Sequence, residues 1–196
     1  MSARERLLKR LRQAFLDHGY EQISMSALAE LCGLTRRALY HHFSNKEEAF
    51  RFVLRFDNET AIRQGVAAGR VLIEKGATPV DILTEIMDVR YGENRRRLAA
   101  SPHALEINDQ AFRRARDLMI EAAVVFQSQL AEILAELDAS GVIRLGSRVG
   151  PEALAQLLCD GARGSNQALP PIPLEQLRPR YAAVIEAILF GSLAKG

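Results

Sequence analysis

Basic, aromatic and imidazole side chains are concentrated between residues 35 and 46. A planar guanidinium can form two parallel hydrogen bonds with a guanine edge or with a phosphate, and Lys, Tyr and His side chains commonly contact phosphate oxygens. Contact with a polyanion such as duplex DNA is therefore the chemistry that this segment favours. The side chains concerned are Arg36, Arg37, Tyr40, His41, His42 and Lys46.

Two short helices are needed to position these side chains. Ser24 can cap a first helix that Gly33 ends, and Thr35 can cap a second one. On the second helix Leu39 and Phe43 can face inward while the polar side chains face outward. Two helices joined by a turn of this length form a helix-turn-helix, whose second helix enters the major groove of DNA.

Simpler interpretations of single residues stay open. Ser24 can serve only as a helix cap, Lys46 can belong to a solvated helix start, and Tyr40 can be an ordinary core aromatic. A metal pair at His41 and His42 is disfavoured, because adjacent residues point apart on a helix. The spacing of the whole set, rather than any one residue, indicates contact with DNA.

The charge of the chain is local rather than global. Its 196 residues carry a formal net charge of only +2, and 48% of them are hydrophobic, which is enough for a sizeable core. The basic excess lies at the N-terminal end, where Glu5 is the one acidic residue among the first twelve. The basic residues there are Arg4, Arg6, Lys9, Arg10 and Arg12.

The sequence contains no constellation that would support catalysis. No nucleophile with a base, no oriented carboxylate pair and no glycine-rich phosphate loop is present. A di-iron bundle requires repeated Glu-x-x-His motifs, whereas His103-x-x-Glu106 is single and reversed. With Asp109 it forms at most a one-sided cluster short of His and Cys ligands. We expect a protein that is not an enzyme and has no metal or other cofactor.

Cysteine usage and hydropathy indicate a cytoplasmic protein. Cys32 and Cys159 are far apart and share no redox or metal spacing, so both are expected to be reduced. Charges interrupt the first apolar positions, which excludes a signal peptide, and no apolar run reaches the length of a membrane span. We therefore expect no membrane partner.

Helical periodicity dominates the chain and predicts an all-α fold of about nine helices. The only β-like stretch, residues 142–145, is too short to seed a sheet. The longest periodic run predicts one continuous helix over residues 103–139. Its apolar positions are Phe112, Ala115, Met119, Ala122, Phe126, Leu130, Ile133 and Leu137.

Residues 7–54 resemble the TetR/AcrR family of regulators. The motifs that carry the resemblance are Gly19-Tyr20, Ser24, Leu28-Ala29, Gly33-Leu34-Thr35, Leu39-Tyr40-His41-His42-Phe43 and Lys46-Glu47. The resemblance implies an N-terminal three-helix helix-turn-helix DNA-binding domain, residues 1–47. It also implies a C-terminal helical bundle for effector binding and dimerisation, residues 48–196.

The family pattern implies a role for each matching position. Tyr40, His42 and Lys46 are expected to contact the DNA backbone, and the hydroxyls of Ser24 and Thr35 to lie near phosphates. The positions expected to face bases are Ser26, Arg36, Arg37 and His41. Arg37 stands where many members have glycine, and two roles remain open for it: pairing with a guanine edge or clamping a phosphate.

The resemblance also implies a homodimer. Small residues on one C-terminal helix can let a second helix approach, and two such helices from each copy would form a four-helix interface. An intramolecular core is the alternative. A symmetric dimer would place two recognition helices roughly 34–36 Å apart on a near-palindromic operator. The candidate interface residues are Leu157, Leu158, Gly161, Tyr181, Val184 and Ile188.

The middle helices are expected to enclose a pocket for an unknown small-molecule effector, although a plain core is the alternative. The candidate lining residues are Tyr91, His103, Phe112, Met119, Ala123 and Phe126. The function expected from the resemblance is a repressor that the effector releases from its operator. An activator and a sequence-blind DNA-binding protein stay open. Arg95-Arg96-Arg97 is expected to be solvated.

Overall fold

The computed structural model describes residues 3–146 and 149–190, and every regular element within them is helical. The all-α prediction is confirmed, and residues 142–145 form no strand. The predicted N-terminal domain begins at residues 1–2 and the predicted C-terminal domain ends at residues 191–196, and these residues lie outside the described ones. The α-helices are α1 (Ala3–His18), α2 (Met25–Leu31), α3 (Arg36–His42), α4 (Lys46–Glu74), α5 (Pro79–Met87), α6 (Glu93–Ala99), α7 (Ala104–Arg114), α8 (Arg116–Ala139), α9 (Pro151–Asn166) and α10 (Leu177–Phe190).

The described residues form two compact units. The N-terminal unit comprises residues 3–59 and 97–122, and the C-terminal unit comprises residues 60–96, 123–146 and 149–190. A π-helical segment, Asp88–Gly92, connects α5 to α6, and a 3-10 turn precedes α10. The predicted functional division into residues 1–47 and 48–196 remains a prediction, since packing alone does not test it.

Local capping fixes the ends of α2 and α3 as the sequence predicts. The Ser24 hydroxyl accepts a hydrogen bond of 3.1 Å from the backbone N–H of Ala27, and Thr35 does the same for Ala38. Gly33 has a φ of +66°, which a residue with a Cβ rarely adopts. The turn between the two helices is therefore encoded by residues next to it.

The start of α4 differs from the sequence prediction by one residue. The spacing Ser44-x-x-Glu47 predicts a capping box with Ser44 as the N-cap, but α4 begins at Lys46 after Asn45. The Asn45 side chain accepts a hydrogen bond from the Glu48 N–H at 2.8 Å, and Glu48 in turn accepts from Ser44. Asn45 is therefore the N-cap residue, because its amide oxygen accepts from the backbone N–H three residues later.

An aromatic and aliphatic core holds the N-terminal unit together. The ring centroids of Phe15 and Phe50 lie 5.1 Å apart, and those of Tyr20 and Phe50 lie 4.9 Å apart. Leu39 and Phe43 are the side chains of the α3 segment that enter this core. Burial of these two side chains determines which face of α3 remains outside.

The predicted continuous helix over residues 103–139 is wrong. Ala115 has non-helical dihedral angles and separates α7 from α8. The Arg51 guanidinium donates a hydrogen bond to the carbonyl of Arg114, which would otherwise serve the helical ladder. As a result Phe112 is not part of the α8 stripe, and 42% of its surface is exposed.

Helix α8 is long and apolar enough to cross a membrane by length and composition. Core helices of globular proteins meet the same criteria, so this finding is weak evidence for a membrane span. The predicted apolar stripe along the second part of α8 is buried. Its members are Ala122, Phe126, Leu130, Ile133 and Leu137.

Close packing of α9 on α10 organises part of the C-terminal unit. A Cβ at Gly161 would lie 2.5 Å from Cγ1 of Val184, so the small residue serves this contact within one chain. Leu158 and Tyr181 are only 1% exposed, and the Tyr181 hydroxyl donates to Asn166 at 2.6 Å. The prediction that Leu158 and Tyr181 contact a second copy is therefore wrong, because both are enclosed within the chain.

The basic segment of residues 95–97 is not simply solvated as predicted. Arg95 donates to the carbonyl of Asn166, and Arg96 pairs with Asp88 at 2.9 Å, both in the C-terminal unit. Arg97 pairs with Asp57 at 3.3 Å in the N-terminal unit. These arginines connect helices within each unit.

Candidate nucleic-acid interface

Helix α3 presents one polar face to solvent. Leu39 is fully buried and Phe43 is 6% exposed, which fixes the apolar side of the helix. The side chains on the exposed side carry the basic, phenolic and imidazole groups that the sequence predicts there. They are Arg36, Arg37, Tyr40, His41 and His42.

Two pairs of side chains shape this face. The guanidinium carbon of Arg36 lies 5.4 Å from the centroid of the Tyr40 ring, a cation–π contact across one helical turn. The rings of His41 and His42 lie 6.5 Å apart at a steep angle. Among the residues that the structure describes, no group of three His, Cys, Asp or Glu side chains has the arrangement of a metal site.

The hydroxyls predicted to lie near phosphates belong to the N-cap residues of α2 and α3. Ser24 and Thr35 are exposed, and each already accepts a backbone hydrogen bond as a helix cap. A hydroxyl retains one donor when it accepts, so a phosphate oxygen remains a possible partner. Ser26 is exposed in the first turn of α2.

Lys46 is more enclosed than a simple surface cation. Its ammonium donates to the backbone carbonyl of Glu21 at 3.1 Å and lies 4.6 Å from the centre of the Tyr20 ring. Burial lowers the pKa of Lys46, and nearby Glu21 opposes this shift. An ammonium has three donors, so these contacts leave it able to reach a phosphate.

Sequence reasoning missed Arg114 as a part of this region. Its guanidinium lies 4.6 Å from the Tyr20 ring centroid and pairs with Glu47 at 2.7 Å. Tyr20 is therefore flanked by two cations, Lys46 and Arg114, and its own pKa is raised mainly by burial. No local sequence signal indicates this contact, since Arg114 is 67 residues away from Glu47.

The acidic cluster near α7 is structural within the N-terminal unit. Glu106 accepts a hydrogen bond from the backbone N–H of Glu21 at 2.6 Å, and His103 lies 3.3 Å from the other carboxylate oxygen. Gln110 donates to the Glu21 carboxylate at 2.6 Å. These bonds attach α7 to the loop before α2.

The six residues predicted to line an effector pocket do not come together in one unit. His103, Phe112 and Met119 belong to the N-terminal unit, whereas Tyr91, Ala123 and Phe126 belong to the C-terminal unit. Phe112 is largely exposed, and Met119 packs against the core of its own unit. The pocket itself remains a prediction, and Phe112 lies on α7, apart from the stripe of α8.

Arg90, which was not predicted from the sequence, lies beside Tyr91 and Phe126 in the C-terminal unit. The Tyr91 and Phe126 rings meet edge to face at 5.7 Å, and the guanidinium carbon of Arg90 lies 4.9 and 5.6 Å from their centroids. Arg90 is only 8% exposed, and burial lowers its pKa. Burial also raises the pKa of Tyr91. Arg90 and Tyr91 belong to the π-helical segment, and Phe126 belongs to α8.

The helix-turn-helix segment has clear relatives. Residues 7–51 match the family model of bacterial regulatory proteins of the tetR family. This chain is 37% identical over 57 residues to the HTH-type transcriptional repressor AcnR of Corynebacterium efficiens, covering 29% of this chain and 30% of AcnR. It is 34% identical over 59 residues to the HTH-type transcriptional regulator UidR of Escherichia coli, with 30% of each chain covered.

The similarity to these relatives covers only part of each chain. This chain spans about 30% of the length of the relatives that it matches. The fold match is longer. The crystal structure of a TetR family transcriptional regulator, PfmR from Thermus thermophilus, aligns over 100% of both chains with a TM-score of 0.63 and 23% identity. The described residues therefore share the fold of that solved structure, a helix-turn-helix followed by further helices.

Proposed function

We propose that this protein is a one-component transcriptional regulator, most simply a repressor, that binds operator DNA through α3. The observation that carries the proposal is the polarity of α3, which has a buried Leu39 and Phe43 and an exposed face rich in guanidinium, phenol and imidazole groups. Such a helix fits the major groove with its polar side toward base edges. The names of the relatives, a repressor and a regulator of transcription, support the same function.

Each proposed DNA contact follows from its place on this surface. Ser26, Arg36, Arg37 and His41 would face base edges. Backbone contacts would come from residues at the rim of the face, where hydroxyl and cationic groups reach phosphates without reading sequence. These residues are Ser24, Thr35, Tyr40, His42 and Lys46.

A homodimer would place two such helices on one operator. Leu157 is 49% exposed and Phe190 is 66% exposed, although both are large apolar side chains on α9 and α10. Val184 and Ile188 are half-buried against α9 and retain accessible surface. We propose that a second copy covers these side chains, which would make the operator a near-palindrome.

Release from DNA would follow from binding of a small molecule in the C-terminal unit. The buried Arg90 and Phe126 and the half-buried Tyr91 would offer a guanidinium and two rings to such an effector. The effector would act by preferring a dimer whose recognition helices do not match successive major grooves. No enzymatic step, cofactor or membrane is part of this proposal, and the expected location is the cytoplasm.

Selection of bound duplexes from a random library tests the function directly. We expect a near-palindromic site to be enriched, with two half-sites about one helical turn apart. Binding of that site should exceed binding of shuffled duplexes at every salt concentration. If no duplex is preferred over bulk genomic fragments between low and physiological salt, the regulator assignment is wrong.

A further inference from the structure

A cleft of about 870 Å³ lies within the N-terminal unit, beside the helix-turn-helix, and shares His42 with the polar face of α3. It is lined by α1, the α2–α3 turn, the end of α3, and α4, with Leu118 of α8 at its floor. Small-molecule sites in proteins commonly have volumes of about 300–1,000 Å³. The cleft therefore has the capacity of a ligand site.

The interior of the cleft is apolar. Phe43 and Leu118 are buried, and Leu7, Leu34 and Phe52 are half-buried along its walls. The rings of Phe43 and Phe52 lie 5.2 Å apart, so the two form one aromatic surface. An apolar wall of this kind stabilises a hydrocarbon or aromatic body by removing it from water.

The rim of the cleft is cationic. Five arginines and His42 line it, against a single carboxylate among the lining residues, Glu48. That carboxylate already accepts hydrogen bonds of 2.7 Å from the N–H and the hydroxyl of Ser44. The five arginines are Arg4, Arg6, Arg10, Arg51 and Arg55.

Two of these guanidinium groups are held in place without being neutralised by their contacts. The guanidinium carbon of Arg4 lies 5.2 Å from the centroid of the Phe52 ring. Arg10 donates to the backbone carbonyl of Cys32 at 2.6 Å. Neither a ring nor a carbonyl carries a negative charge, and each guanidinium has five N–H donors, so donors remain for an anion.

We propose that this cleft binds an amphipathic small-molecule anion, a carboxylate joined to an aliphatic or aromatic body. The body would lie against Phe43 and Phe52, and the carboxylate would be bound by Arg4 and Arg10. A purely polar anion such as phosphate would leave the apolar walls exposed to water. The phosphates of a DNA backbone would leave them exposed in the same way. The site is distinct from the effector group around Arg90, which belongs to the C-terminal unit.

A tryptophan placed in the cleft gives a local reporter. The chain contains no tryptophan, so Phe52→Trp introduces the only one. Titration of this variant with decanoate should give a saturable change in tryptophan emission, and the neutral decanamide should bind at least about tenfold more weakly. Circular dichroism checks that the variant folds, and calorimetric titration of the unmodified protein with decanoate gives an independent measurement.

Neighbouring cations on α1 provide a matched control. Arg10→Gln in the reporter background should weaken decanoate binding about tenfold, because a charge-assisted bond is lost. Lys9→Gln removes the same charge from the adjacent exposed position, which does not line the cleft, and should leave binding unchanged. Equal losses in both variants would indicate only general charge attraction and would overturn the proposal.

The other outcomes are equally decisive. Equal binding of decanoate and decanamide would show an apolar site without anion recognition, and saturation by inorganic phosphate alone would show a polar anion patch. A tryptophan response to duplex DNA without any response to decanoate would assign the rim to DNA phosphates. Each result would contradict the proposal while leaving operator selection by α3 to stand or fall on the library experiment.

Discussion

Arg51 and Asp117 form an ion pair with two hydrogen bonds that joins α4 to the first turn of α8 within the N-terminal unit. The two nitrogen–oxygen distances are 2.8 and 2.5 Å. The same guanidinium also donates to the carbonyl of Arg114 at the break between α7 and α8. One side chain of α4 therefore sets where α8 begins.

This pair predicts a specific acid titration. The hydrogen bonds from Arg51 lower the pKa of Asp117 from its ordinary value of 3.8 to about 2. Because the folded-state pKa is depressed, the pair stabilises the fold above about pH 4 and loses that contribution as the pH falls toward 2. In Arg51→Gln, the pKa of Asp117 should return toward 3.8 in an NMR titration of side-chain carboxyl signals. Arg113→Gln, which removes the partner of Asp109, should leave Asp117 unchanged.

Arg37 and Lys46 are expected to affect DNA binding in different ways. Arg37→Ala should reduce affinity for the selected operator by about 1–3 kcal/mol while changing affinity for random duplexes little, if Arg37 reads a base. Lys46→Met retains the packing on Tyr20 and should weaken both duplexes alike, lowering the salt slope by about 1. Fluorescence anisotropy over a series of salt concentrations measures both effects. Identical losses on the two duplexes for Arg37→Ala would assign it to a phosphate.

The burial of Leu39 makes α3 dependent on the core of its unit. Leu39→Ala removes a side chain that is 0% exposed and should lower the free energy of unfolding by about 2–5 kcal/mol. Leu31→Ala removes the same atoms from a position that is 45% exposed and should change stability by under about 1 kcal/mol. Urea unfolding monitored by circular dichroism compares the two variants. A similar loss in both would contradict the assignment of Leu39 to the core.

Two glycines of α9 offer a matched test of packing against α10. Gly161→Ala would bring a Cβ within 2.5 Å of Val184, and such overpacking should cost about 1–3 kcal/mol. Gly164→Ala meets no atom within 4 Å and should stabilise the helix by about 0.5–1 kcal/mol. Unfolding at one fixed protein concentration separates these effects from changes in assembly. Stabilisation by Gly161→Ala would mean that α9 and α10 are farther apart than described.

The sequence predicted the features that depend on neighbouring residues. The caps at Ser24 and Thr35, the end of the first helix near Gly33 and the inward direction of Leu39 each follow from a few adjacent positions. These local signals define the helix-turn-helix. The helical period of 3.6 residues decides which side chains share a face with Leu39 and which lie opposite. The exposed side chains of α3 could therefore be predicted from the sequence.

The features that the sequence did not predict depend on distant residues. Ala115 continues the apolar period of the sequence without interruption, so the sequence shows no helix break there. At the break, Arg51 donates a hydrogen bond to the carbonyl of Arg114, which lies 63 residues later in the chain. Gly161 indicates a close helix approach, but its size does not say whether the approaching helix belongs to the same chain. The contact of Lys46 with Tyr20 likewise requires knowing how two separate helices pack.

Burial of the two cysteines has a practical consequence. Cys32 and Cys159 are 2% and 0% exposed, and burial raises the pKa of each thiol to about 11. The thiolate is the form that attacks a maleimide, so both native thiols should react slowly near neutral pH. A single cysteine introduced at an exposed position such as Arg63→Cys can then carry a fluorescent or spin label in an otherwise native chain. The distance between labels on two copies would report directly on how they assemble.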